Sequence, residues 1–97
     1  MSKVFVEYAI LPESREVYLS FMRERLRDNV KLSLLEGTDQ PNLFVEIWTP
    51  VSPDEYIRMR EVRLSGGDPT WGRMHPWIKG GWEKLHIWHF RSIGPDE

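Results

Sequence analysis

The stretch LFVEIWTPVSPDEYIRMREVRLSGG, residues 43–67, contains the clearest local signals in the chain. Its first seven residues are rich in β-branched and aromatic side chains and predict a strand, which Pro50 ends. Ser52 can cap a helix, the proline that follows it fits the first helical turn, and Glu55 completes a capping box. We therefore predict a strand followed closely by a helix that ends at a pair of glycines.

The chain before this stretch predicts a strand, a helix and a second strand. Residues 3–10 are β-branched and aromatic with a period of two. Over residues 13–28, apolar side chains recur at helical spacing and charged side chains fill the other side. Residues 30–35 again predict a strand, and the turn-rich residues 36–42 connect it to the next one, which indicates a hairpin.

The chain after this stretch is rich in large rings. Residues 68–82 hold three tryptophans, a methionine and a histidine between glycines and prolines, so we expect only one or two short helical turns there. Irregular segments often carry function, and the alternative is that these rings close one end of the sheet. Residues 86–93 predict the last strand.

The order of these elements, β-α-β-β-α-β, indicates the ferredoxin-like α+β fold. In that fold a four-stranded antiparallel sheet of spatial order 4-1-3-2 carries both helices on one face. The length suits one such domain over residues 1–97.

The alternation of side chains assigns residues to the two faces of this sheet. Beneath the helices we place the aliphatic rows, which are Val4, Val6, Tyr8, Val30, Leu32, Leu34, Leu43, Val45 and Ile47. On the opposite face we place Phe5, Glu7, Ala9, Lys31, Ser33, Leu35, Phe44, Glu46 and Trp48. From the last strand we favour His86, Trp88 and Phe90 for this second face, with Ile87, His89 and Arg91 as the alternative.

The second face has too many rings to lie bare in water. The simplest cover is the same face of a second copy, in a two-fold symmetric homodimer that leaves a ligand-sized space beside the seam. Self-association and a small-molecule ligand are therefore the expected partners.

Composition excludes several classes of protein. The 13 basic and 15 acidic residues give a net charge of −2, which argues against binding to nucleic acid. The absence of cysteine excludes disulfides, thiolate metal sites and a cysteine nucleophile. The first residues pass directly into a strand pattern and no apolar run reaches membrane-spanning length, so we expect a cytoplasmic protein without a membrane segment.

Three side chains are candidates for catalysis. His75 lies in the ring-rich segment and could act as a general base, although a histidine that satisfies a loop carbonyl is the more common case. Glu7 and Glu46 are expected to be neighbours on the second face, where two close carboxylates would form an acid/base pair. The alternative is that Lys31, an arginine or a dimer contact neutralises both carboxylates.

Other side chains are candidates for the walls of a ligand pocket, namely Phe5, Phe44, Trp48, Trp71, Trp77 and Trp88. His86 and His89 have opposite parity on one strand and cannot bind one ion together. One of them could bind a metal with Glu7, but structural roles are favoured and no metal site is expected. The arginines at positions 58, 60, 63 and 73 could gather an anionic substrate, and the helical spacing of Arg60 and Arg63 from Tyr56 allows their stems to lie along its apolar side. For the group as a whole, a solvated surface is the expectation.

As a whole, the chain resembles the dimeric α+β barrel superfamily and, within it, the small proteins of the antibiotic-biosynthesis-monooxygenase type. The features that carry this resemblance are the order of elements, the strand FVEIW that ends at Trp48 before a capped helix, and the histidine- and tryptophan-bearing segment before the last strand. The resemblance implies a pocket. It also implies one of several roles, among them cofactor-independent oxygenation, isomerisation and haem degradation.

The haem-degrading branch of this superfamily uses an asparagine on the first strand, a tryptophan in the second helix and a histidine about ten residues later. This chain has Glu7 and Tyr8 in the first strand and no tryptophan in the predicted second helix, and only His75, with Trp71 before it, could substitute. Haem is therefore only an alternative, and no cofactor is the expectation.

Three functions follow. The leading hypothesis is a homodimer that binds a small, partly aromatic molecule and, as an enzyme, carries out cofactor-free oxidation or proton transfer. The second is a non-catalytic dimeric interaction module, and the third is haem binding through His75.

Overall fold

The computed structural model describes residues 2–94 and contains one four-stranded sheet and two α-helices. The strands and helices in chain order are β1 Ser2–Ala9, α1 Arg15–Asp28, β2 Leu32–Glu36, β3 Leu43–Trp48, α2 Pro53–Ser65 and β4 His86–Arg91. Short 3₁₀ segments cover Pro12–Ser14, Trp71–Trp77 and Gly81–Lys84. The predicted order of elements is confirmed, including the short helical turns in the ring-rich segment.

The sheet has the order β2-β3-β1-β4, and every neighbouring pair is antiparallel. This is the predicted order 4-1-3-2 read from the other edge, so the α+β ferredoxin-like fold is confirmed. The second strand begins two residues later than predicted, and Val30 lies in the turn before it with its whole side chain exposed.

The start and end of α2 follow from the residues that the sequence singles out. The Ser52 side chain accepts a hydrogen bond from the backbone N–H of Glu55, and the Glu55 carboxylate accepts one from the backbone N–H of Ser52. The helix ends at Gly66 in the left-handed conformation, with φ of 74°. A side chain there would also lie 2.7 Å from the indole nitrogen of Trp82, so glycine satisfies both the turn and the close approach.

Both helices pack on one face of the sheet, which we call the helix face. From β1 it includes Val4, Val6 and Tyr8, from β2 Leu32, and from β3 Phe44, Glu46 and Trp48, all of them buried. The centre of the Tyr18 ring in α1 lies 5.7 Å from the centre of the Tyr8 ring and 4.6 Å from that of the Phe44 ring.

The predicted face of β3 is therefore wrong. Leu43, Val45 and Ile47 lie on the other face of the sheet, and the positions occupied by a phenylalanine, a glutamate and a tryptophan are buried. Aliphatic side chains suggested the opposite assignment because a carboxylate is costly to bury alone. An arginine from α2 removes that cost, which the alternation within the strand could not reveal.

The other face, which we call the open face, carries partly buried or exposed side chains. It comprises Phe5, Glu7, Ala9, Ser33, Leu35, Leu43, Val45, Ile47, His86, Trp88 and Phe90. The favoured assignment of β4 is confirmed, because Trp88 is paired with Phe5 and His86 with Glu7. Trp88 is 42% exposed and Phe90 52% exposed, although the Phe5 and Phe90 rings contact each other edge to face at 5.4 Å.

Among residues 2–94, no helix combines the length and apolar character needed to cross a membrane.

Candidate functional site

A carboxylate and a guanidinium form an ion pair in the centre of the core. Glu46 on β3 and Arg63 on α2 are 0% and 1% exposed. Arg63 donates two hydrogen bonds of 2.7 Å, one from each terminal nitrogen to a different oxygen of Glu46. This two-pronged geometry is the strongest form of the arginine–carboxylate interaction.

Two further donors complete the shell around Glu46. The Tyr8 hydroxyl donates to Oε2 at 2.5 Å, and the Trp48 indole nitrogen donates to Oε1 at 2.8 Å. The Tyr18 hydroxyl hydrogen-bonds to that of Tyr8 at 2.7 Å and extends the network into α1. With four donors on two oxygens, Glu46 has little remaining capacity to accept a proton from a substrate.

The ionisation of these groups follows from the same contacts. Burial alone raises the pKa of Glu46, but the charge of Arg63 and the hydrogen bonds from its neighbours outweigh it, so the pKa lies below its ordinary value. Burial and the negative charge of Glu46 raise the pKa of Tyr8 well above its ordinary value. Glu46 is therefore ionised and Tyr8 is a neutral donor.

A cavity of about 280 Å³ lies beside the ion pair on the helix side, and we call it the helix cleft. Its lining comes from the end of α1, from β3, from α2 and from the ring-rich segment, and comprises Asn29, Trp48, Arg58, Met59, Val62, Arg63 and Trp71. The cleft thus combines two indole walls with two guanidinium groups. Within the described part of the chain, Arg63 Nε has no hydrogen-bond partner.

The Trp71 wall is held in place from several sides. Its ring centre lies 6.0 Å from that of Trp48 and 5.6 Å from that of Phe21, in edge-to-face contacts. The Arg63 guanidinium lies 4.0 Å from the centre of the Trp71 ring, a cation–π contact. At the start of this segment, the Asp68 carboxylate accepts hydrogen bonds from two backbone N–H groups, at 3.0 and 2.8 Å. Because this wall is already rigid, it loses little conformational entropy when a ligand binds.

A second cavity, of about 560 Å³, lies on the other side of the sheet, and we call it the sheet-end pocket. Its floor is formed by the ends of three strands and includes Glu7, Ala9, Leu43 and His86. Its wall is the turn of residues 79–84, from which two lysines and Gly80 contribute.

The predicted pairing of Glu7 with Glu46 is wrong. Glu7 is opposite Val45 and points to the open face, whereas Glu46 is opposite Val6 and points to the helices. The alternative neutralisation by an arginine is the one that applies to Glu46, with Arg63 as the partner. A catalytic role for either carboxylate stays a prediction.

His75 lies on the surface and lines none of the cavities described. Its ring stacks on that of Trp82 at 5.2 Å, and its Nε2 lies 3.2 Å from the position that a side chain on Gly81 would take. The helix cleft contains no histidine, so the residues present do not fit a haem group held by His75 in that cleft. A role for His75 as a base stays a prediction.

The predicted pocket walls fall into separate places. Phe44 and Trp48 are on the helix face rather than the open face, because β3 has the opposite parity from that expected. Trp48 and Trp71 meet in the helix cleft, Trp77 lines a third cavity of about 210 Å³ beside Phe21, and Phe5 and Trp88 lie on the open face. No single pocket gathers all six.

His86 and His89 lie on opposite faces, as their parity predicts. Residues 2–94 contain no group of three or more side chains of the histidine, aspartate and glutamate type placed to hold a metal ion.

Comparison with solved structures identifies proteins of the same architecture. An antibiotic biosynthesis monooxygenase superposes with a TM-score of 0.67 at 17% identity, over 97% of this chain and 100% of that one. A protein from Nitrosomonas europaea, provisionally assigned as an antibiotic biosynthesis monooxygenase, gives 0.69 at 15% identity over the same shares. The chain has their fold. A protein from Agrobacterium tumefaciens shares it, with a TM-score of 0.63 at 17% identity over 96% of this chain and 94% of that one.

Sequence comparison adds no closer relative: no protein-family model matches the chain, and no curated protein is significantly similar to it. The resemblance to the antibiotic-biosynthesis-monooxygenase type therefore rests on the fold, and at these identities it establishes the fold alone.

The functional residue that sequence reasoning missed is Arg63. It was expected on a solvated surface with Arg58, Arg60 and Arg73, which are indeed exposed. Its spacing from Tyr56 and Met59, seven and four residues, places it on the inner side of α2. Together with a glutamate in an otherwise apolar strand, that spacing was the available signal for a buried pair.

Proposed function

We propose that the protein is a homodimer that binds a small aromatic molecule in the helix cleft. The observation that carries this proposal is the meeting of Trp48, Trp71 and Arg63 around one cavity. Indole rings recognise a flat ring by stacking, and the exposed Arg58, which also lines the cleft, supplies a cation for a cation–π contact. The volume of about 280 Å³ lies near the lower end of typical ligand pockets and fits a molecule of one or two rings.

The charge of the cleft favours an anionic or electron-rich ring. Glu46 neutralises Arg63, but the exposed Arg58 on the rim has no ion-pair partner among the described residues. A carboxylate or phenolate on the ligand would meet Arg58 at the rim while the ring packs against the tryptophan wall.

The dimer part of the proposal rests on the open face. Four strands spaced about 4.8 Å apart and about six residues long span a projected area on the order of 400 Å², a size at which a mainly apolar patch is often an interaction surface. In the described chain no helix covers this face, and its largest exposed side chains are Leu35, Trp88 and Phe90. A second copy is the natural occupant of the part of this face around Phe5, Trp88 and Phe90, because a two-fold axis brings the same apolar patch to both sides and the sheet-end pocket lies toward the opposite end of the strands.

Ligand binding is tested by filling the cleft from its rim. Val62 lines the cleft and is 36% exposed, so Val62→Trp places an indole in the cavity without disturbing the core. Ile57→Trp is the matched control, since Ile57 is on the same helix, is 53% exposed and lies outside the cleft.

The measurement is a tryptophan-fluorescence titration with a panel of hydroxylated naphthalenes and quinones. We expect saturable quenching in the wild type and the Ile57→Trp variant, and loss of it in the Val62→Trp variant. A panel without any saturable response, or equal affinity in both variants, would contradict the proposal.

Oxidation of a bound naphthol by dioxygen to the naphthoquinone is the second candidate function; the ring itself supplies the electrons, one oxygen atom enters the ring as a carbonyl and the other leaves as water. The names of the structural neighbours favour it. Its test is oxygen uptake by the purified protein with each compound that binds, compared with the Val62→Trp variant. Binding without uptake would leave a binding module, the non-catalytic alternative.

A further inference from the structure

The sheet-end pocket is separate from the helix cleft. The two cavities lie on opposite faces of the same sheet and share no lining residue. With about 560 Å³, the sheet-end pocket has the volume of a typical small-molecule site. The sheet-end pocket is therefore a second candidate site.

The charges of the pocket come from its wall and from its floor. Lys79 and Lys84 approach from the turn at its wall, and Glu7 and His86 form a direct cross-strand pair on β1 and β4 at its floor. Neither lysine has an ion-pair partner within 4.0 Å in the described chain. With one carboxylate against two ammonium groups, the pocket carries a net positive charge even when His86 is neutral.

The wall is fixed to the sheet by backbone hydrogen bonds. The Lys79 N–H donates to the carbonyl oxygen of Ala9 at 2.9 Å, and the Leu11 N–H donates to the carbonyl oxygen of Trp77 at 2.9 Å. Ile10 and Ile78 form an isolated β-bridge between these bonds. Lys79 is therefore held at the end of β1.

Gly80 determines where Lys84 lies. Its φ of 84° is in the left-handed region, and a side chain there would lie 2.5 Å from Cγ of Lys84. The aliphatic stem of Lys84 thus crosses the face of Gly80, and Lys84 lines the same pocket as Lys79.

We propose that the sheet-end pocket binds a small organic anion, a carboxylate attached to an apolar body. Lys79 and Lys84 bind the carboxylate, and Ala9, Leu43 and Gly80 contact the apolar body. Glu7 and His86 lie at the floor, where Glu7 repels a second negative charge and so selects a monoanion.

The probe for this site is 2-naphthoate, with the neutral 2-naphthylmethanol as its uncharged counterpart. Backbone amide shifts in ¹⁵N NMR spectra locate binding, and the Val62→Trp background removes any contribution from the helix cleft. We expect saturable shifts at Ala9, Gly80 and His86 with 2-naphthoate and much weaker ones with the alcohol.

The variants separate charge from structure. The exposed lysines make Lys79→Ala/Lys84→Ala compatible with the fold, and we expect about a tenfold or greater loss of affinity for 2-naphthoate. Gly80→Ala keeps both charges but displaces Lys84, so a severalfold loss is expected there too. Glu7→Gln should strengthen binding, because it removes the one negative charge of the site. Arg60→Ala is the control for general charge and should have no effect.

Three results would overturn the proposal. They are an absence of saturable shifts at the pocket, equal affinity for the acid and the alcohol, and unchanged affinity in the double lysine variant. None of them bears on the helix cleft, because its ligand is tested by different variants on the other face.

Discussion

The two faces of the sheet differ in what they bury: the helix face buries charged groups, whereas the open face leaves aromatic rings partly exposed. The helix face buries two full charges, and each of them is matched by a partner within the chain, in the Glu46–Arg63 pair. The open face has few charges, yet its rings at Phe5, Trp88 and Phe90 remain partly in contact with solvent. Polarity along a strand is therefore a poor guide to which face is inside, because a matched charge can be buried and an unmatched apolar patch can be left outside.

The largest test of this contrast is the removal of one partner from the buried pair. Arg63→Met leaves Glu46 charged and unpaired in the core, and we expect a loss of about 3–5 kcal/mol in the free energy of unfolding. Urea denaturation at fixed protein concentration measures it.

The compensating variant is Arg63→Met combined with Glu46→Gln. The neutral amide can still hydrogen-bond to Tyr8 and Trp48, so we expect it to recover most of the loss, because no unpaired charge remains. A single variant as stable as the wild type would show that the pair is not maintained as charges.

Acid should also reduce the contribution of the Glu46–Arg63 pair to the free energy of unfolding. The pKa of Glu46 is below its ordinary value in the folded chain and about 4.3 in the unfolded one, so its contribution is complete above the unfolded pKa and is lost as the pH falls through the folded pKa. Hydrogen bonds from Arg15 and Asn42 lower the pKa of Glu36 to about 2, with the same sign.

We therefore expect the free energy of unfolding to fall steadily from about pH 5 to pH 2. The variant that combines Arg63→Met with Glu46→Gln should show a shallower fall, because only the surface carboxylates remain to titrate. Equal slopes in the two proteins would contradict the assignment to Glu46.

The open face is tested by placing a charge on it. Trp88→Glu should weaken self-association about a hundredfold while the single chain stays folded, because the side chain is already half exposed there and only a dimer would bury it. Val30→Glu is the control, since Val30 is fully exposed and off the sheet. Sedimentation equilibrium gives the dissociation constant, and a wild type that is monomeric at high concentration would refute the dimer.

The smallest effect is expected at a surface ion pair. Lys31 and Glu55 are 3.1 Å apart with side chains about 40% exposed, so Lys31→Ala should cost less than about 1 kcal/mol. Arg63→Met and Lys31→Ala each break one ion pair, and the pairs differ mainly in burial. The difference between the two losses in unfolding free energy therefore reports the effect of burial. Urea denaturation at two salt concentrations should show the surface pair, and not the buried one, to be sensitive to screening.

Much of the fold could be predicted from the sequence because its signals are local. The capping box at Ser52 and Glu55, the glycine at the end of α2 and the parity of β4 all act within a few residues. The face of β3 could not be predicted in the same way. It depends on Arg63, 17 residues away on another element, and a strand of alternating large side chains is compatible with either face.

The same limit applies to the sites. The sequence indicated tryptophans as pocket walls, and Trp48 and Trp71 do meet, but only the tertiary structure separates them from Trp77 and Trp88. The sheet-end pocket could not be predicted from the sequence, because the β-bridge between Ile10 and Ile78 is what holds Lys79 and Lys84 beside the ends of the strands.

The buried ion pair also constrains how such a sequence can diverge. A lineage that loses Glu46 alone, or Arg63 alone, must pass through a poorly folding intermediate, and marginal stability leaves little room for it. A substitution at position 46 makes a substitution at position 63 advantageous, and the reverse, so the two positions are expected to change together. Descendants of this chain should therefore keep both residues or replace both, while the surrounding surface drifts freely.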